Sequence, residues 1–130
     1  MKTPDGRQDE VRLAVPATPE FLRLARVTAA GLASRLGFTF DQVEDLRLAI
    51  DELCFGLTGP HGRPGTVHLR FLIRDNGLEV EGEGHFEDDN HEAQLSELSA
   101  VILRALVDEH ELWPGRPDPG FRMVKRCAVW

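Results

Sequence analysis

The sequence is short of several things, and each shortage removes a class of function. Among 130 residues there are only two cysteines and no tyrosine. Two cysteines cannot build a zinc site by themselves, and Cys54 and Cys127 both fall in apolar periodic stretches, where a free thiol packs as a small hydrophobe. The five histidines (His61, His68, His85, His91 and His110) show no HxH or HExxH spacing, so no histidine-based metal centre is expected. No apolar run approaches the roughly 18 residues of a membrane span. The opening MKTPDGRQDE lacks the apolar centre of a secretory signal, which sets the expectation of a cytoplasmic protein. Positive charge is scarce as well. Fifteen Lys and Arg stand against 22 Asp and Glu, a net charge of −7, so neither nucleic acid nor an anionic membrane is an expected partner.

What is present describes a folded globular chain, 42% apolar and 28% charged. Its length suits one domain that buries roughly two thirds of the unfolded surface without a disulfide or metal staple. Residues 1–9 are polar and read as a flexible tail, leaving 10–130 as a single domain.

Val11, Leu13 and Val15 alternate with Arg12 and Ala14, which predicts a strand closed by Pro16. Thr18-Pro19-Glu20 is a helix start, and Phe21, Ala25, Thr28, Leu32 and Leu36 recur at helical spacing as far as Gly37. Asp41 with Glu44, and Thr39 with Gln42, are two capping-box patterns ahead of a second helix. Its stripe is Val43, Leu46, Ile50, Leu53 and Leu57. Residues 58–65, rich in Gly and Pro, cannot continue that helix and read as a mobile loop. Val67, Leu69, Phe71 and Ile73 predict a strand, joined through Asp75-Asn76-Gly77 to another that carries Leu78 and Val80. Asp88, Asp89 and Asn90 offer caps for a third helix with Leu95, Leu98, Ile102 and Leu106 on one face. Short strands at Glu111–Trp113 and Phe121–Trp130 complete the order β-α-α-β-β-α-β-β. Strands in runs, rather than strict βα alternation, predict an α+β two-layer sandwich: a mixed, mostly antiparallel sheet with helices on one face.

The second helix is the chemically informative element. Asp45, Ala49, Glu52 and Gly56 share a face beside the apolar stripe. A carboxylate there, ahead of a glycine-rich loop, suits a general base, although a solvated acidic face explains the same spacing. Glu79, Glu81 and Glu83 alternate along a strand and read as an exposed face. The run Glu81-Gly82-Glu83-Gly84-His85-Phe86 puts two glycines where backbone can approach a ligand.

Val43–Leu57, VEDLRLAIDELCFGL, resembles the N-box helix of the RsbW-type anti-sigma factors, small serine kinases of the GHKL (Bergerat) histidine-kinase-like ATPase superfamily. The likeness extends over almost the whole chain. Glu10–Ala17 is similar to the family's first strand and Phe21–Phe38 to its first helix. LRALVDEHEL, Leu103–Leu112, resembles the end of its last helix and the strand after it, and FRMVKR, Phe121–Arg126, its closing strand.

In that family a helix carboxylate orients or deprotonates the attacking serine hydroxyl, and the resemblance gives this place to Glu52. The Asn that binds Mg²⁺ four residues later is here Gly56, which offers no ligand. The adenine-accepting Asp of an Asp-x-Gly box corresponds to Glu81, with Gly82 and Gly84 in shifted register. The glycine-rich phosphate cradle corresponds to Glu97-Leu98-Ser99-Ala100, where Ser99 is the uncharged polar residue and no glycine remains. The loop at 58–65 corresponds to the family's ATP lid.

Glu52, Gly56, Glu81, Gly82, Gly84 and Ser99 are therefore the positions of a degenerate nucleotide site. The resemblance implies an anti-sigma factor that sequesters an RNA polymerase sigma factor and is released by a STAS-domain anti-anti-sigma antagonist. It implies a homodimer, and with three site elements altered neither ATP nor Mg²⁺ is expected. The alternative is an active serine protein kinase that phosphorylates its antagonist with Mg-ATP, Glu52 being its catalytic residue.

Overall fold

A computed structural model describes residues 9–74, 76–88, 91–115 and 118–127. The elements are β1 (Glu10–Pro16), α1 (Pro19–Arg35), α2 (Phe40–Thr58), β2 (Gly65–Arg74), β3 (Gly77–Phe86), α3 (Glu97–Leu106), β4 (Glu109–Trp113) and β5 (Gly120–Arg126). This is the predicted order and the predicted α+β class. The strands form one sheet in the order β1-β2-β3-β5-β4, and every neighbouring pair is antiparallel. The expected mixed sheet is thus fully antiparallel among the described strands. The reason is topological. β3 and β4, joined through α3, run in the same direction, but β5 returns between them and pairs with both.

Side chains from the two layers meet in one continuous core. Val15, Val67, Leu69, Phe71, Leu78, Val80, Phe121 and Met123 supply its sheet side. Leu46, Ile50, Leu53 and Leu57 supply α2, as the stripe predicts, with Val43 at its partly buried end. On α1 the buried line is Leu22, Ala25, Ala29 and Ala33, whereas Phe21 is 44% exposed. The expected line through Phe21 is rotated because the alanines, having no bulk beyond Cβ, let α1 approach the rest of the core closely, and Leu32 and Leu36 sit at its margin.

Local chemistry sets the element ends. Of the two capping boxes, the structure uses Thr39 and Gln42. Thr39 Oγ1 accepts from Gln42 N at 3.1 Å, and Gln42 Oε1 accepts from Thr39 N at 2.9 Å. Glu44 instead pairs with Arg47 one turn along. Gly37 and Gly59, just past the two helices, have φ of 89° and 88°, a region that disfavours residues with a Cβ.

α3 starts later than predicted. Its cap is Ser96, whose Oγ accepts from Ser99 N at 3.0 Å. Asp88 is engaged elsewhere, by Arg63, and Asp89 and Asn90 lie outside the described residues. So do residues 1–8 of the predicted tail and 128–130 of the predicted last strand. The loop after α2, expected to be mobile, is tied down: Arg63 N donates to Ala17 O at 3.0 Å, and Ala17 N to Gly65 O at 3.0 Å.

Candidate functional site

Alternation along β3 decides which predicted site residues share a space. Leu78, Val80, Gly82 and Gly84 belong to the face covered by helices, in register with Met123 and Phe121 on β5. Glu79, Glu81, Glu83 and His85 belong to the opposite face. Arg70 Nη1 donates to Glu81 Oε1 there at 2.8 Å and also holds Glu10. Glu81 therefore does not face α2, so it cannot stand as the acceptor beneath that helix. A side chain directed there would come from residue 82 or 84, and both are glycine.

Both glycines are covered by rings. A Cβ on Gly82 would lie 2.5 Å from the Phe121 ring, and one on Gly84 would overlap the ring of Phe86. The space in which the sequence left room for a ligand is filled by the protein's own aromatics.

The helix side of the site shows the same pattern. Asp45 lies 3.9 Å from Lys125, Ala49 is fully buried, and Glu52 is half-buried. Glu52 Oε1 accepts from Ser99 Oγ at 2.7 Å, so the helix carboxylate and the first turn of α3 are brought together as a bonded pair. Ser96 Oγ donates in turn to Ser99 Oγ at 3.1 Å. Cys54, next to this face, is fully enclosed; burial, and then the charge of Asp51, push its thiol up to about 12, which leaves it a packing residue rather than a nucleophile.

Gly56 is buried beneath the segment His91–Ser96. A Cβ there would meet Gln94 O at 2.9 Å, Leu95 Cδ2 at 3.0 Å and Leu112 Cδ1 at 3.1 Å. The Gly56 carbonyl is one of the last four of α2 and has no partner within the helix. It is satisfied from outside, by Gln94 N at 3.1 Å and by a ring nitrogen of His91 at 3.0 Å. Residue 56 thus lacks a side chain for a reason that concerns packing: the following segment docks on it. From the stretch expected to cover the site, 58–65, Arg63 reaches across to His91 O; the covering segment is 91–96.

Tested against a magnesium nucleotide, these residues do not fit. Residue 56 offers no ligand, and the space above it holds Gln94. No side chain accepts from an adenine amino group at residues 82 and 84. The amide of Ser99 at the start of α3, where a phosphate cradle would donate, is already bonded to Ser96.

No family model matches the chain. The serine-protein kinase RsbW of Bacillus velezensis is 37% identical over 122 residues, covering 78% of this chain and 76% of that protein. The RsbW of Bacillus subtilis is 32% identical over 121 residues, with the same shares. The chain belongs to the RsbW family. A crystal structure of the RsbU and RsbW domains of a Mycobacterium tuberculosis protein superposes with a TM-score of 0.70 at 15% identity. It covers 94% of this chain and 33% of that longer one, so it speaks for the fold alone. This RsbW-family chain therefore keeps the scaffold of its relatives, with Glu52 and Ser99 in contact and Glu81 on the far face of the sheet.

No sequence pattern marks Arg63, His91 and Gln94, which decide what fills the α2 side of the site. Arg63 sits in a Gly- and Pro-rich loop with no periodicity to mark it, and its partners lie 25 and 28 residues away. The signal that existed was Gly56 itself: a glycine inside an amphipathic helix signals close approach by another part of the chain.

Proposed function

We propose that this chain is an anti-sigma module that sequesters an RNA polymerase sigma factor by direct binding and works without ATP or Mg²⁺. A STAS-domain antagonist then releases the sigma factor by competing for the same protein. In this reading residues 10–130 act as one unit in the cytoplasm, paired as a homodimer. Glu52, Gly56, Gly82, Gly84 and Ser99 keep the fold closed instead of meeting a nucleotide. Glu81 serves the open sheet face.

The observation that carries the reading is the outer surface of α1 and α2. Phe21, Leu24 and Val27 on α1, and Leu48 and Phe55 on α2, each leave 44% or more of their surface in solvent. Large apolar side chains grouped on two adjacent helices favour a protein partner. Between the helices a cleft of about 270 Å³ is lined by Arg23, Arg26, Asp51 and Phe55. Arg26 Nη1 bonds Asp51 Oδ2 at 2.9 Å, while its Nε is buried without a partner. The Arg26 side chain is nevertheless 32% exposed, and a carboxylate on the partner would pair with that accessible part of the cation.

The test is co-elution of the purified chain with candidate sigma factors. Capture of one at micromolar concentration, lost on Arg26→Ala or Phe55→Ala, is expected; no capture of any sigma factor would overturn the reading. Glu52→Ala should leave capture nearly intact.

One contact favours the second reading, an active serine kinase. A carboxylate 2.7 Å from a serine hydroxyl is the geometry in which Glu52 would orient a substrate serine. Titration calorimetry with ATP and ADP, with and without Mg²⁺, separates the two. Micromolar binding strengthened by Mg²⁺ would support the kinase, and no heat at millimolar nucleotide would support the binding module.

A further inference from the structure

We propose that Arg63 is the latch that seats His91–Ser96 on α2, and that this one guanidinium keeps the site closed. The inference deepens the reading of the site as self-filled and rests on it.

Arg63 belongs to a loop rich in Gly and Pro, yet only 6% of its side chain is exposed. Its Nε donates to Asp88 Oδ1 at 3.0 Å, its Nη2 to Asp88 O at 2.5 Å and its Nη1 to His91 O at 2.9 Å. The guanidinium also lies 4.1 Å from the centre of the Phe86 ring. Three acceptors around one planar group use the fork geometry of arginine, which a lysine ammonium cannot reproduce.

The latch is mounted on fixed backbone. Arg63 N bonds Ala17 O, and Glu87 N bonds Pro64 O at 3.1 Å. Downstream, the held segment closes the α2 side of the site. His91 and Gln94 N satisfy the Gly56 carbonyl, Ala93 is buried, Ser96 caps α3, and Ser99 reaches Glu52. The succession runs from Arg63 through His91 and Gln94 to Gly56, and then through Ser96 and Ser99 to Glu52. Its interior contacts are the packing of Ala93 and Leu95 on the core and single hydrogen bonds, of which the one from Ser99 to Glu52 ends on a charge. The buried, charged and stacked member is Arg63, so releasing it releases the row.

Hydrogen exchange on the full chain tests this. In Arg63→Ala the amides of Gln94 and Ser99 should exchange about tenfold faster or more, while amides of α2 between Leu46 and Cys54 stay within about twofold. Arg63→Lys should fall between Arg63→Ala and the parent. Unchanged exchange at Gln94 would overturn the proposal, and so would uniform acceleration across α2, which would make Arg63 a general stability residue. If Arg63→Ala does not fold, Arg63→Gln, which is shorter than arginine but keeps an N–H donor near the position of Nε, carries the same comparison. Sigma capture does not enter this readout, so the failure of either proposal is recognisable by itself.

Discussion

The two faces of the sheet are built from the same strands and held by opposite physics. On the helix-covered face, β3 presents Leu78, Val80, Gly82 and Gly84 to aromatic and aliphatic side chains, and the result is an apolar core. On the other face none of the described helices packs, and the same strand presents Glu79, Glu81, Glu83 and His85. Arginines cover that face. Arg74 and Arg122 both hold Glu79, Arg122 and Arg126 both hold Glu109, and Arg12 and Arg70 both hold Glu10. Glu79 is only 5% exposed although none of the described helices lies over it, because long arginine stems spread across the sheet. Glu79 was expected on a solvated face; it is instead an enclosed carboxylate with two cations. The comparison teaches that period-two alternation assigns a side chain to a face but not to an environment.

The largest break in this comparison comes from the packed face. Gly82→Ala puts a methyl 2.5 Å from the Phe121 ring, so that ring or the strand must move. We expect a loss of about 1–3 kcal/mol in urea unfolding, the usual cost of overpacking. A loss under about half a kilocalorie would mean that Phe121 swings aside freely.

Second comes Glu79→Ala, which strips the shared partner from Arg74 and Arg122. Their side chains are 41% and 32% exposed, so water compensates in part, and a loss of about 1–2 kcal/mol is expected. A variant as stable as the parent would show that the arginines find water at no cost.

Acid should then reveal the charged face collectively. Hydrogen bonds from Arg70 and Arg12 hold Glu10 down to about 2, and those from Arg126 and Arg122 lower Glu109. Burial pushes Glu79 upward, but hydrogen bonds from Arg74 and Arg122 outweigh it and leave it lowered. A carboxylate lowered in the fold contributes fully above its ordinary value of 4.5 and loses that contribution as pH falls toward the folded value. Denaturation midpoints should therefore drop from pH 4.5 toward 2, with a shallower slope in Glu79→Gln. A flat profile over that window would contradict the ion-pair account.

The smallest effect belongs to Glu81→Ala. Its pair with Arg70 is 30% and 45% exposed, and about 0–1 kcal/mol is expected. Because Glu81 faces away from α2, the same variant should leave nucleotide titration and exchange at Gln94 unchanged. A change in either would place Glu81 on the wrong face here.

Much of the fold was legible because periodicity is a local property. The α2 stripe, the β2–β3 hairpin and the eight-element order follow from spacings of 3.6 and 2. The register of alternation was harder. Glu81-Gly82-Glu83-Gly84 offers two readings one residue apart, and a slip of one residue moves every side chain to the other face. Pairing Val80 with Met123 and Gly82 with Phe121 settles it, and those partners lie 43 and 39 residues away in sequence. The same distance hid the start of α3: three acidic or amide caps at 88–90 outbid Ser96 on local propensity, while Arg63 engaged Asp88 from across the fold.

The sequence by itself determined the α+β class, the element order, the amphipathic α2 and the family to which the chain belongs, because each is written in short-range pattern and in order along the chain. Only the tertiary structure decided what occupies the site. Whether a glycine leaves space or yields it depends on which distant atoms arrive, and at Gly56 it is Gln94 that arrives, held by the contact of Arg63 with His91. Close packing admits one occupant per volume, and here that occupant is the chain itself.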